Sequence, residues 1–295
     1  MRVLVTGATG LIGSHLVPAL QREGHQVVRL GRRRDASDFV WDPLRGQMDT
    51  GALDGVDAVV HLAGENIGQR WTEERKQRMW RSRVEGARLL ADAIASVSSP
   101  PRTFISASAT GYYGDRGDEA LDEDAGPGRG FLAELCQAWE EAAQGAARAG
   151  TRVVNPRFGV VMSDKGGALA RLLPLFRLGL GGALGDGRQY MSWIDIEDLV
   201  SAVLFLLRRD DLSGPVNVTS PNPVTNEEFT RTLARVLGRP AFLRVPAFAL
   251  KAMMGQMAEE ALLAGQRVLP RKLHQAGFAF QYPDLEGSLR HVLGR

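Results

Sequence analysis

The sequence predicts an α/β protein, a doubly wound parallel sheet with a smaller, mostly helical C-terminal lobe. Three observations lead there. Short β-branched apolar runs alternate with amphipathic helical patterns over the first half of the 295 residues. The first run, Val3-Leu4-Val5-Thr6, passes straight into glycines at 7, 10 and 13. After about residue 160 the alternation gives way to a glycine-rich, then mostly helical stretch. Strands joined through helices run parallel, with the helices on both faces of the sheet.

Taken in order, Leu16-Val17-Pro18-Ala19-Leu20 reads as the first helix and Val27-Val28-Arg29-Leu30 as the second strand. Asp38–Trp41 is a short strand and Val56–Gly64 a buried one, followed by a long helical pattern from Glu73 to Ala95. Thr103–Ser106 is the fifth strand, Phe131–Ala149 a helix and Arg152–Pro156 the sixth strand. Beyond these come a helix near Ala168–Leu178, a glycine-rich turn at 179–187 and a further strand at Val216–Val218. Residues 1–160 are expected to form a nucleotide-binding domain, its sheet completed by 215–219, and 161–295 a substrate lobe.

The glycine spacing carries the chemistry. Gly7 suits the tight turn off the strand, Gly10 lets backbone approach a pyrophosphate, and Gly13 lets the next helix pack closely on the sheet. The helix N-terminus then directs N–H groups and its positive dipole end at phosphate. This is the signature of a Rossmann-type dinucleotide site, with Thr9, Leu11 and Ile12 in the same loop. An acidic residue that would hold the 2′-hydroxyl of NAD belongs at the end of the second strand. Gly31-Arg32-Arg33-Arg34 stands there instead. A guanidinium fork grips a 2′-phosphate that a carboxylate would repel, so NADP(H) is the expected cofactor, with Gly31, Arg32 and Arg33 as contacts. Ligands of such sheets sit beyond the carboxyl ends of the strands. That adds Leu62, Ala63, Gly64 and Glu65, then Ser106, and finally Val160, each at a strand end.

Composition narrows the function. A net charge of +2 with both signs interspersed gives no basic stripe, so no nucleic-acid partner is expected. The apolar stretch at Val200–Leu207 is far shorter than the roughly 20 residues of a membrane span, and no membrane partner is expected. The single cysteine, Cys136, excludes an internal disulfide, reads as core, and fits a reducing cytoplasmic setting. The five histidines lack metal-ligand spacing, so no metal site is expected, and His61 reads as a packed strand residue.

With these residues in place the chain resembles the extended short-chain dehydrogenase/reductase superfamily of sugar-nucleotide epimerases and dehydratases. The glycine loop, Val59–Gly64, Ser108-Ala109-Thr110 with the tyrosines after it, and Ser192–Leu199 all match its pattern. Gly64-Glu65-Asn66-Ile67, Ser82-Arg83, Gly111-Tyr112-Tyr113-Gly114, Trp139-Glu140 and Arg177–Gly182 resemble an atypical branch more narrowly. That branch is known only as a predicted NADP-dependent epimerase family with a C-terminal domain of unknown function. The resemblance thus implies a fold and a cofactor but no defined activity.

The pattern breaks at catalysis. The superfamily carries a tyrosine four residues before a lysine on one helix, the lysine lowering the phenol's pKa and holding the nicotinamide ribose. Alignment on Trp139-Glu140 puts Leu132 and Cys136 there, and none of the four lysines lies in that helix. The superfamily's asparagine on the preceding helix is replaced by Arg83, which is expected to hold cofactor phosphate or ribose. Two substitutes for the missing pair present themselves. Tyr112 and Arg116 have the spacing, though Gly114 and Asp115 between them indicate a loop. Otherwise Tyr112 or Tyr113 acts as a lone acid beside Ser108.

Two functions follow. One is an NADP(H)-dependent oxidoreductase or epimerase acting, as a homodimer, on an unidentified small polar or sugar-like small-molecule substrate. The other is a catalytically degenerate NADP(H)-binding regulatory or sensor protein. Either way, Gly10→Val should abolish nucleotide binding while the far-ultraviolet circular dichroism stays native; unchanged affinity in the folded variant would remove the phosphate loop from the argument.

Overall fold

The computed structural model describes residues 1–295, the Thr50 side chain excepted. Nine strands form the main sheet: β1 (Arg2–Thr6), β2 (Gln26–Gly31), β3 (Phe39–Asp42), β4 (Gln47–Met48), β5 (Ala58–His61), β6 (Thr103–Ser106), β7 (Ser108–Ala109), β8 (Arg152–Phe158) and β9 (Gly214–Val218). Their order is β9-β8-β6-β5-β1-β2-β3-β4, with β7 also paired to β8. Every pairing is parallel except β3 with β4. The chain leaves β1 toward one side and returns at β5 on the other, so the topological switch lies between those two strands, where their carboxyl ends leave a crevice.

The helices are α1 (Leu11–Arg22), α2 (Glu73–Trp80), α3 (Gly86–Ser96), α4 (Phe131–Ala143), α5 (Gly167–Arg177), α6 (Ile196–Arg208), α7 (Asn226–Leu237), α8 (Ala247–Met254), α9 (Arg271–Gln275) and α10 (Leu285–Leu293). The single helix expected over Glu73–Ala95 is interrupted at Arg81–Glu85 by a π-turn, which joins α2 to α3. Likewise α4 ends at Ala143 and tightens into a 3₁₀ turn at Gln144–Ala149. The glycine-rich turn at 179–187 contains a strand, Gly182–Leu184, that pairs with Leu243–Val245. The expected edge strand near Val216 is present as β9.

Core residues follow the strand pattern. Val3, Leu4, Val5, Val59, Val60, Phe104 and Ile105 are fully enclosed, as parallel strands covered on both faces must be. The same cluster takes in α6 and β9, so the sheet's core extends beyond residue 160. A second apolar cluster joins α5, α7 and α10. Buried carboxylates fasten the tail. Asp198 accepts from the N–H groups of Gln281 and Tyr282, and Asp195 from Ser288 Oγ.

Thr6, His61 and Ser106 stand side by side at the carboxyl ends of β1, β5 and β6. His61 is fully buried with Nδ1 2.7 Å from Thr6 Oγ1, edge-on to Trp41 and Trp139, as a packed strand residue should be. Burial, with the nearby Arg83 charge adding to it, pushes the imidazole down to about 3. An unfolded chain takes the proton near pH 6.5, so the stabilisation is complete above that value and lost as pH falls from it toward 3. The slope is about 1.4 kcal/mol per pH unit. Urea midpoints taken across this window should fall steeply for the parent and more gently for His61→Leu; parallel acid limbs would contradict the assignment.

Candidate functional site

A cleft of about 520 Å³ opens at the switch point. Of the expected residues, Gly7, Thr9, Gly10, Gly31, Arg32, Arg33, Leu62, Ala63, Gly64 and Glu65 line it. Leu11, Ile12 and Gly13 form the first turn of α1 behind its wall. Arg83, Ser106 and Val160 are not on the wall. Ser106 is buried, and Val160 pairs with Trp193, its N–H donating to Ser192 O.

The glycines act through backbone proximity. Gly7 has φ +70°, and a Cβ on it would lie 2.8 Å from Ala63 N. A Cβ on Gly13 would lie 2.2 Å from Gly7 O, so no side chain fits between turn and helix. The first bond of α1 is Ser14 N–H to Gly10 O, which leaves the N–H groups of Leu11, Ile12 and Gly13 outside the helical ladder. Neither a capping side chain nor an acidic residue occupies that turn. These features fit a dinucleotide pyrophosphate.

At the other end of the cleft Arg32 and Arg33 are exposed, Arg33 lying 3.4 Å from Asp35. Sequence reading missed Ser37, Arg78 and Ser82 in the wall, together with the apolar side formed by Trp41, Pro43 and Leu44. The segment from Ser37 through β3 into the β3–β4 turn, with α2 and the π-turn after it, brings them there, and none carries a local nucleotide motif.

The π-turn faces the end of β5. Ser82 Oγ accepts from Glu65 N at 3.0 Å, and Arg83 Nη2 donates to Glu65 O at 2.9 Å. A Cβ on Gly64 would lie 3.0 Å from Arg83 Cζ, so Gly64 makes room for the guanidinium. Arg83 also sits over the Trp139 ring and forms no ion pair among the described residues. Burial lowers its pKa from the usual range. Such π-turns concentrate at functional sites.

The residues expected to carry catalysis separate. Ser108 is buried, and its Oγ donates to Glu140 Oε1 at 2.6 Å. Arg157 holds Glu140 through two bonds, 2.8 and 2.9 Å long. Burial alone would lower Arg157, but the bonds to Glu140 outweigh it and hold the guanidinium above its usual range. Arg157 also donates to Tyr113 Oη at 2.9 Å and lies 3.4 Å from the Tyr112 ring centre.

Tyr113, expected as an alternative acid, is a correction. Its side chain is fully buried, its hydroxyl is held between Arg157 and Asn217 Oδ1, and burial pushes its pKa up to about 12. Its hydroxyl is committed to the core. Arg116 is likewise no partner for Tyr112, because it turns to Glu119. Tyr112 is half-buried, with no hydrogen-bond partner for its hydroxyl among the described residues. Leu132 and Cys136, where the superfamily's Tyr and Lys were expected, are buried, and burial raises the Cys136 thiol to about 12. A further carboxylate comes from the late lobe: Glu260 accepts from the N–H groups of Phe131 and Leu132 at the start of α4.

Since the Arg157 and Glu140 side chains are only 3% and 13% exposed, removing one strands the other. Glu140→Gln should lower unfolding free energy by about 3–5 kcal/mol, while Glu140→Leu with Arg157→Met should recover most of it. Equal losses in the two variants by chemical denaturation would show that the ion pair is not what matters.

The profile of the NAD dependent epimerase/dehydratase family matches residues 3–219, and a domain of unknown function, DUF1731, matches 245–292. An epimerase family protein of Mycobacterium leprae is 45% identical over 99% of this chain and 96% of its own length. The crystal structure of human epimerase family protein SDR39U1 with NADPH superposes with TM-score 0.93 at 36% identity, covering 100% of both chains. MoeE5 in complex with UDP-glucuronic acid and NAD gives 0.78 at 25% identity, over 98% of this chain and 96% of that one. A match spanning the sheet and the site, joined to whole-length relatives, places this chain in the NAD dependent epimerase/dehydratase family.

Proposed function

We propose that the chain is an NADP(H)-dependent oxidoreductase or epimerase, with residues 1–160 holding the dinucleotide and 161–295 the substrate. The single observation that carries the cofactor choice is the end of β2. Arg32, Arg33 and Ser37 line the cleft where NAD would need a carboxylate, and Arg78 joins them from α2. The human relative was crystallised with NADPH and MoeE5 with NAD, so relatives of this fold take either nucleotide. The arginines favour the phosphorylated one.

When bound, the nicotinamide supplies or accepts a hydride. The chain's own residues then handle position and protons. Ser108, having donated to Glu140, keeps lone pairs that accept from a substrate hydroxyl. Tyr112 supplies the proton from its unpartnered hydroxyl. Arg83, a cation without a carboxylate partner, holds phosphate or ribose and takes over part of the missing lysine's electrostatic role. A small polar, sugar-like substrate suits this set of hydroxyl and cationic groups, and the MoeE5 structure holds a nucleotide sugar.

A regulatory NADP(H) sensor is the second reading. Leu132 and Cys136, buried at the positions of the usual catalytic pair, favour it.

NADPH should bind more tightly than NADH by about 1.5–3 kcal/mol, and Arg32→Ala should erase most of the gap. Equal affinities by calorimetry would refute the cofactor choice. Carbonyl compounds screened with NADPH by absorbance should yield a substrate whose turnover falls in Ser108→Ala, Tyr112→Phe and Arg83→Ala. Parental turnover in all three would dismiss the catalytic assignment. No reduced carbonyl, with a protein partner whose binding responds to NADP(H), would leave the sensor.

A further inference from the structure

The large apolar side chains left in water concentrate on one part of the late lobe. Leu178 is 73% exposed, Phe242 79%, Phe248 76% and Met253 67%, with Leu175 and Leu180 half or more exposed beside them. The fold sets the end of α5 beside the Pro240–Leu243 segment, and Phe248 follows at the start of α8. The end of α5 runs into Gly182–Leu184, which pairs with Leu243–Val245. A Cβ on Gly179 would lie 3.3 Å from Pro240 Cγ, and one on Gly185 3.9 Å from Ala247 Cβ at the start of α8. A soluble surface rarely leaves so many large apolar groups together unless something covers them.

Charge indicates what covers them. Segments 167–182 and 238–254 contain Arg171, Arg177, Arg239, Arg244 and Lys251 and not one Asp or Glu. Arg244 and Lys251 reach carboxylates of other segments, Glu227 and Glu259. Arg177 and Arg239, bordering the apolar groups, form no ion pair among the described residues. Pairing of this face with itself across a two-fold axis would bring the Arg177 and Arg239 of two copies together, each without a carboxylate to meet it.

We propose that the face built by the end of α5, the Pro240–Leu243 segment and α8 seats on the surface of an anionic lipid bilayer. Leu178, Phe242 and Phe248 enter the headgroup boundary while Arg177 and Arg239 meet the lipid phosphates. Among the described residues no helix is long and apolar enough to cross a membrane, and none is needed for a peripheral seat. The sequence-based expectation of no membrane partner rested only on the lack of a spanning segment.

The test is flotation of the full chain with vesicles of phosphatidylcholine alone and of phosphatidylcholine with an equal part of phosphatidylglycerol. The chain should float with the mixed vesicles only and detach as salt is raised. Arg177→Gln and Arg239→Gln should each weaken binding about fivefold. Phe248→Ser with Leu178→Ser should weaken it by about tenfold or more, with NADPH affinity unchanged as evidence of folding. Three results would overturn the proposal: no flotation with either vesicle, equal flotation with both, or a monomer–dimer equilibrium in sedimentation that Phe248→Ser dissolves and vesicles leave untouched. The last would assign the face to a second copy of the chain.

Discussion

The site depends on one close approach of backbone to backbone. Gly7, in a left-handed turn, lies against the end of β5 so tightly that a Cβ would be 2.8 Å from both Leu62 C and Ala63 N. Gly13 brings α1 onto the same turn. This packing aims the open end of α1 at the crevice between β1 and β5, and the crevice exists because the chain switches sides of the sheet there. Thr6 secures the arrangement from below, its hydroxyl accepting from the N–H groups of Leu62 and Ala63 at 3.2 and 3.3 Å. Any larger residue at 7 or 13 would separate the helix from the strand end and disperse the anion-binding groups.

The rest of the site lies on the family's scaffold, with apolar and carboxylate side chains on α4. That helix carries Leu132, Cys136 and Glu140. Glu140 binds Ser108 and Arg157, forming a buried charged network that extends through Tyr113 to Asn217 on β9. A cation stands behind the cleft wall as Arg83 on the π-turn, where it donates to Glu65 O and lies over Trp139 of α4. The late lobe contributes as well, since Glu260 caps the start of α4. The two parts of the chain therefore meet at the start of α4.

Much of this was legible in the sequence. The parallel strands were readable because fully buried strands are continuous apolar runs, and β9 because Val216-Asn217-Val218 keeps that character within a polar stretch. The phosphate turn was readable because only glycine satisfies its steric demands. The π-turn was not, since Arg81–Glu85 has an ordinary helical pattern and the contacts of Ser82 and Arg83 with Glu65 that accompany it are tertiary. Arg78 and the β3–β4 wall were missed because tertiary packing alone carries them to the cleft. Tyr112 and Tyr113 are neighbours with equal claims in sequence. Burial of one and not the other separates them, and that is decided by Arg157 and Asn217, distant in the chain.

The central claim is the place where the dinucleotide sits, and amide hydrogen exchange with and without NADPH tests it directly. The account predicts slowed exchange confined to the Gly7–Gly13 turn, the Gly31–Ser37 segment and the Leu62–Glu65 strand end. Protection elsewhere, for example in the separate groove between α7 and the start of α10, with these three segments unchanged, would contradict it.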